Sequence, residues 1–188
     1  MKKTVRRSVS KNNSDAFQLP LKEALFIGFC AVFAVLIRAA LRLKLNISGH
    51  SMLPTVFFLM LARGSVRYRF GAIFAGLLAG SAALFLGFAK AGPMILVQYL
   101  SVAIVIDGMA WLLRGRLQSV FWSALTGALA GATKFFKVYA TGYLAGMEPD
   151  INLMKALFEA SGAALFGLLA GALLPVVLKR LRAYGVIS

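Results

Sequence analysis

The chain is poor in acid. Of its 188 residues only 6 are Asp or Glu, against 21 Lys or Arg, with a single His and a single Cys. So few carboxylates exclude a two-metal or diphosphate–magnesium centre, which needs several acids converging on one point. One cysteine, Cys30, excludes a disulfide scaffold. Cys30 and His50 together are too few ligands for structural zinc. Charged residues make up 14% of the chain, where a soluble domain carries about 25%. The chain is instead rich in apolar residues, at 60%, with a mean hydropathy of +0.82. A soluble domain of this length cannot bury that much apolar surface. The composition therefore excludes an ordinary soluble enzyme or a disordered tail and points to an integral membrane protein.

A span of hydrocarbon about 30 Å thick needs about 20 apolar residues of helix. Five runs meet this: Ala24–Leu41, Phe70–Ala89, Pro93–Leu113, Ser119–Tyr139 and Ala156–Leu178. A sixth, Ser51–Ala62, is short and carries Pro54 near its start. It is expected as a short or broken second helix, with Ser51 as a candidate cap. The runs are apolar all round and rich in Ala, Leu and Gly, which excludes an alternating-strand barrel. The expected fold is all-α, a six-helix transmembrane bundle. Residues 1–23 form a basic N-terminal tail, 24–178 the membrane domain and 179–188 a basic C-terminal tail.

The net charge of +15 is distributed between the apolar runs rather than on an aromatic-laced basic motif, so nucleic acid is not an expected partner. With the N-terminus inside, the inner segments carry Lys2, Lys3, Arg6, Arg7, Lys11, Lys22, Arg63, Arg67, Arg69, Arg114, Arg116, Lys179, Arg180 and Arg182. The outer ends carry Arg38, Arg42, Lys44, Lys90 and Lys155. This bias predicts a multi-pass membrane protein with both termini cytoplasmic, and hence an even number of spans.

Ionisable groups inside a span are costly unless paired or hydrated, so each is a candidate for function. Lys134 and Lys137 are three residues apart in the outer part of the fifth helix and share a face with Gly131 and Gly127. Glu159 lies about one turn into the sixth helix, on a stripe with Gly162, Phe166 and Ala170. Arg38 reaches a similar depth from the first helix, and Asn46 and His50 come from the loop before the second. One reading is an outward-opening, net-positive pocket walled by Phe, Tyr and Met, suited to a small organic solute with a carboxylate or carbonyl groups. The other is snorkelling to the lipid headgroups plus a structural Lys–Glu pair. Asp107, about 9 Å from the inner end of the fourth helix, is either paired with Arg63, Arg67, Arg69 or Arg114 or serves as a proton relay or a cytoplasmic contact.

Close helix pairing in lipid needs small residues, and these recur at a spacing of four. Ala72, Gly76 and Gly80 do so in the third helix, Gly127 and Gly131 in the fifth, and Gly167 and Gly171 in the sixth. They suit bundle packing or docking of another membrane subunit. The stretch GALAGATK (Gly127–Lys134) lacks Walker A spacing. Asp107-Gly108 opens like the aspartate-rich motif of lipid-head transferases, without the further aspartates. No enzyme activity, metal or cofactor is expected.

The stretches ISGHSMLPTVFFLMLARGSVRYRFGAIFAGLLAG (Ile47–Gly80) and GPMILVQYLSVAIVIDGMAW (Gly92–Trp111) resemble substrate-binding S components of energy-coupling factor (ECF) transporters of unassigned substrate. So does the plan of six helices, a short second helix and basic cytoplasmic tails. The resemblance implies a vitamin-like or precursor solute bound near the outer face and a transmembrane coupling subunit docked on helices one to three. It also implies two separate cytoplasmic ATPases and a subunit that topples in the membrane lipid to release the solute. Nickel and cobalt members begin Met-His, whereas this chain begins Met1-Lys2. The Ala-x-x-x-Ala docking pattern of some members is only approximated, by Ala31 and Val35 or by Gly28 and Val32. The Ala72–Gly76–Gly80 ladder is thus the docking candidate. The rival functions are an assembly subunit without a solute pocket and a small enzyme acting on lipid.

Overall fold

The structure, a computed structural model, describes residues 21–44, 50–66, 68–87, 92–113 and 119–185. Within them the chain is helical throughout, with no strand among the described residues: α1 Leu21–Lys44, α2 Met52–Ser65, α3 Gly71–Phe85, α4 Met94–Leu112, α5 Val120–Ala132, α6 Lys134–Leu144 and α7 Pro149–Ala183. Residues 1–20 of the expected N-terminal tail lie outside the described residues. Leu21–Leu41, Met94–Leu112 and Pro149–Ala183 are long and apolar enough to cross a membrane, and Met52–Ser65 and Gly71–Phe85 are shorter apolar helices.

The elements refine the sequence expectation, beginning with α1, which runs from Leu21 to Lys44 rather than Ala24 to Leu41. The second helix is short but unbroken, because Pro54 lies in its first turn, where a missing N–H costs nothing. Ser51 makes no side-chain cap; its carbonyl instead accepts from Thr55 Oγ1 at 3.2 Å. The expected fifth helix is two, α5 and α6, divided at Thr133, whose hydroxyl donates back to the Ala130 carbonyl at 2.6 Å. Such a bond competes with the helical ladder and bends the chain. The last helix runs well past the expected span at both ends, so Lys179, Arg180 and Arg182 extend the helix rather than begin a tail.

Small residues line the helix seams, a core of larger side chains such as Ile27, Met52, Leu59, Met60, Tyr99 and Leu174 fills the interior, and many large apolar side chains face outward. The pairing of α5 with α7 is the most extensive in the molecule. A Cβ on Gly127 would collide with the Gly167 carbonyl, and one on Gly171 with the Ser123 carbonyl, so the two backbones touch. Ser123 Oγ donates to the Gly171 carbonyl at 2.7 Å across the same seam. Interior alanines Ala72, Ala75, Ala79, Ala103, Ala130 and Ala163 are buried, whereas Leu25, Phe29, Leu36, Phe74, Ile104, Leu165, Leu169 and Leu173 are exposed. Helices that pair through small residues and present large apolar side chains outward suit a lipid surround.

The Ala72–Gly76–Gly80 ladder is spent inside the chain. A Cβ on Gly76 would stand 2.9 Å from Ala103 Cβ of α4, and one on Gly80 would stand 3.4 Å from Leu96 Cα. This corrects the expectation of a docking face there, because α4 already covers it. Ala31 and Val35 are likewise buried, whereas Val32 is exposed.

Candidate functional site

A cavity of about 340 Å³ opens at the end of the bundle where α1 ends and α2, α4 and α7 begin. Small-molecule pockets span about 300–1,000 Å³. It is lined by Arg38, Ser51, Gln98, Lys134, Lys137, Val138, Thr141, Gly142, Ala145, Met147, Lys155 and Glu159. Among the described residues four of the lining side chains are cationic and one is anionic, a formal net charge of +3.

Arg38 is drawn inward rather than snorkelling. It is buried, with Nη2 donating to Gln98 Oε1 at 3.1 Å and Nη1 to Thr55 Oγ1 at 3.4 Å, and its guanidinium lies 5.1 Å from the centre of the Tyr99 ring. A cation over a buried aromatic face gains quadrupole attraction with little competing water. Lys137 Nζ donates to the same Gln98 Oε1 at 2.6 Å. Two cations therefore meet on one neutral amide oxygen. The Gln98 Nε2 donates to Met52 Sδ at 3.3 Å, a weak acceptor that fixes the amide's orientation. Lys134 is matched differently, by a salt bridge to Glu159 Oε2 at 2.8 Å.

Local chain geometry places these groups. α6 begins directly after Thr133, and its first turn reaches both walls: Lys134 pairs with Glu159 of α7 and Lys137 donates to Gln98 of α4. Asn152 Nδ2 of α7 donates to the Tyr139 carbonyl at 2.9 Å, and its side chain occupies the space a Cβ on Gly142 would need. That contact pins α6 against α7. At its far end α6 stops at Gly146, with φ +72°, and the Met147 N–H returns to the Gly142 carbonyl at 3.0 Å. This turn carries Met147 to the cavity wall.

Of the residues singled out from sequence, Arg38, Lys134, Lys137 and Glu159 come together on this one wall. His50 does not line it: its carbonyl accepts from Leu53 N–H at 3.1 Å to close the turn into α2, and its Nε2 is buried. Asn46 lies outside the described residues. The expected aromatic wall is also corrected. Phe135 stacks on Tyr139 at 5.8 Å and Phe136 is exposed, so these rings gather on one another or face outward, and Val138 and Met147 supply the apolar lining. Sequence reasoning missed Gln98 as the shared acceptor. Its one signal was an uncharged polar residue early in an otherwise apolar span.

About 14 Å along α4 from Gln98, at 1.5 Å per residue, Asp107 forms a separate polar centre. Its carboxylate accepts from the backbone N–H groups of Ala72 at 3.3 Å and Ile73 at 2.9 Å, and Arg63 Nε lies 3.0 Å away. Arg63 also donates to the Tyr68 carbonyl at 3.4 Å. Asp107 thus caps the start of α3 and pairs with one of the four arginines named for it. An acid at a helix N-terminus is stabilised by the unsatisfied N–H groups and the helix dipole.

No protein-family model, curated protein or solved structure matches the chain.

Proposed function

We propose that the chain is a six-pass receptor in a bacterial inner membrane, with both termini cytoplasmic, that captures a small vitamin-like or precursor molecule carrying an acidic group. It would act as the S component of an ECF-type importer, delivering its solute with a coupling subunit and cytoplasmic ATPases. The observation that supports this most directly is the net-positive cavity of about 340 Å³ built from Arg38, Lys134, Lys137 and Lys155 around Gln98 and Glu159. A wall held only for stability would tend toward charge balance, because unmatched buried charge is costly. An excess of cations facing a solute-sized space favours an anion arriving from outside.

The test uses the full chain purified in mild detergent without ATP. Native mass spectrometry is expected to detect one retained small acid, and titration of a vitamin and precursor panel to find one tight binder. Arg38→Ala should weaken that binder by roughly tenfold or more, since losing one partner of a desolvated charge pair costs at least about 2 kcal/mol. Flat titrations, together with no co-purifying coupling subunit or ATPase, would overturn the proposal and favour an assembly subunit. A retained lipid with turnover would favour the lipid enzyme.

A further inference from the structure

α6 lies on α7 in the antiparallel register that α5 begins. Gly131 faces Ala163, then Lys134 meets Glu159 at 2.8 Å, then Gly142 meets Asn152. The last contact is made unlike the others. Gly142 lines the cavity, and Asn152, 1% exposed, stands behind it. Asn152 Nδ2 donates to the Tyr139 carbonyl at 2.9 Å, and the amide fills the notch that Gly142 leaves in α6. Its Oδ1 is buried without a hydrogen-bond partner among the described residues. A buried acceptor left unpaired is unfavourable, and a leucine of nearly the same shape would fill the notch without one. What asparagine supplies and leucine lacks is a directed N–H bond to the α6 backbone.

We propose that Asn152 is a positioning residue for the cavity: it fixes the height and rotation of α6 on α7, and so sets where the Lys134 ammonium stands on the wall that a solute meets. This role rests on the receptor reading for its purpose and adds a residue that acts on the site from behind the wall. Lys134 and Tyr139 belong to one continuous helix, so a shift at the Tyr139 carbonyl is carried to Lys134. A slide of one residue moves the Lys134 backbone by about 1.5 Å relative to Glu159. Gly142 is the one buried residue of α6 among the described residues, so the notch is where this helix is seated most deeply.

The experiment acetylates the full-length chain in mild detergent with sulfo-N-hydroxysuccinimide acetate and follows each lysine by mass spectrometry, with no solute added. Wild-type Lys134, 12% exposed and paired with Glu159, should react slowly. Asn152→Leu keeps the volume and removes the donor. It is expected to speed Lys134 acetylation roughly tenfold while the buried Cys30 stays closed to N-ethylmaleimide. A Lys134 rate equal to wild type would overturn the inference, because the amide would then only fill space. Cys30 opening in step with Lys134 would overturn it too, since the whole bundle would have loosened. A second pair of variants tests the notch from the other side. Gly142→Ala puts a methyl where the amide stands and should also speed Lys134. Adding Asn152→Ala empties that space and should slow it again, whereas effects that simply add would count against the assignment. No solute enters these readings. Flat titrations would therefore remove the receptor reading and leave the positioning role standing, and an unchanged Lys134 rate would do the reverse.

Discussion

The two ends of α4 handle charge in opposite ways. Near its C-terminus, Asp107 is matched by Arg63 and by two backbone N–H groups of α3. Near its N-terminus, Gln98 stands between two cations and contributes no charge to match them. Both centres sit in an apolar bundle, where an unmatched charge is expensive. The first is organised for stability: it holds α2, α3 and α4 in register and caps a helix. The second brings two cations to one neutral amide oxygen at the wall of a cavity. Buried charge alone did not distinguish them. The difference lies in the acceptor, a carboxylate at one centre and a neutral amide oxygen at the other.

The contrast can be broken most forcefully at the balanced end. Asp107→Ala leaves Arg63 without its carboxylate and α3 without its cap. It is expected to destabilise the chain by about 3–5 kcal/mol, the range for removing one partner of a buried pair. The measure is thermal or denaturant unfolding in detergent, and a change under 1 kcal/mol would deny the structural role. A smaller loss is expected at the α5–α7 seam, which carries the cavity's lysine helix. Gly127→Leu must push the backbone of Gly167 away, and overpacking of this kind costs about 1–3 kcal/mol. Because α6 rides on α5, solute binding should fall together with stability, which titration and unfolding on the same preparation would show. The smallest effect belongs to Lys134 and Glu159, whose side chains are 12% and 26% exposed. A double-mutant cycle of Lys134→Met and Glu159→Gln should give a coupling of about 0.2–1 kcal/mol. A coupling above 2 kcal/mol would make this end as strongly structural as the Asp107 centre.

Several parts of the molecule were legible in the sequence. The apolar runs and their lengths called for helices, because a backbone in lipid must satisfy its own hydrogen bonds. Arg38, Lys134, Lys137 and Glu159 stood out because ionisable groups are rare in such runs, and Arg63 was among the partners named for Asp107. The glycines of α5 and α7 read as packing residues and pack on each other. The Ala72–Gly76–Gly80 ladder has the same pattern, and its spacing could not say whether the neighbour was α4 or another subunit. The break at Thr133 was hidden because threonine is tolerated in continuous helices. His50 was singled out for its chemistry, and the structure places it in the turn into α2 beside the lining residue Ser51.

Composition and periodicity by themselves determined that this chain is a helical, apolar bundle with cations near one end. Both follow from local rules: the length of an apolar run and the cost of charge within it. Only the tertiary structure decided which charges are balanced. That depends on residues 38, 98 and 137 meeting at one oxygen, and no local rule links positions so far apart in the chain.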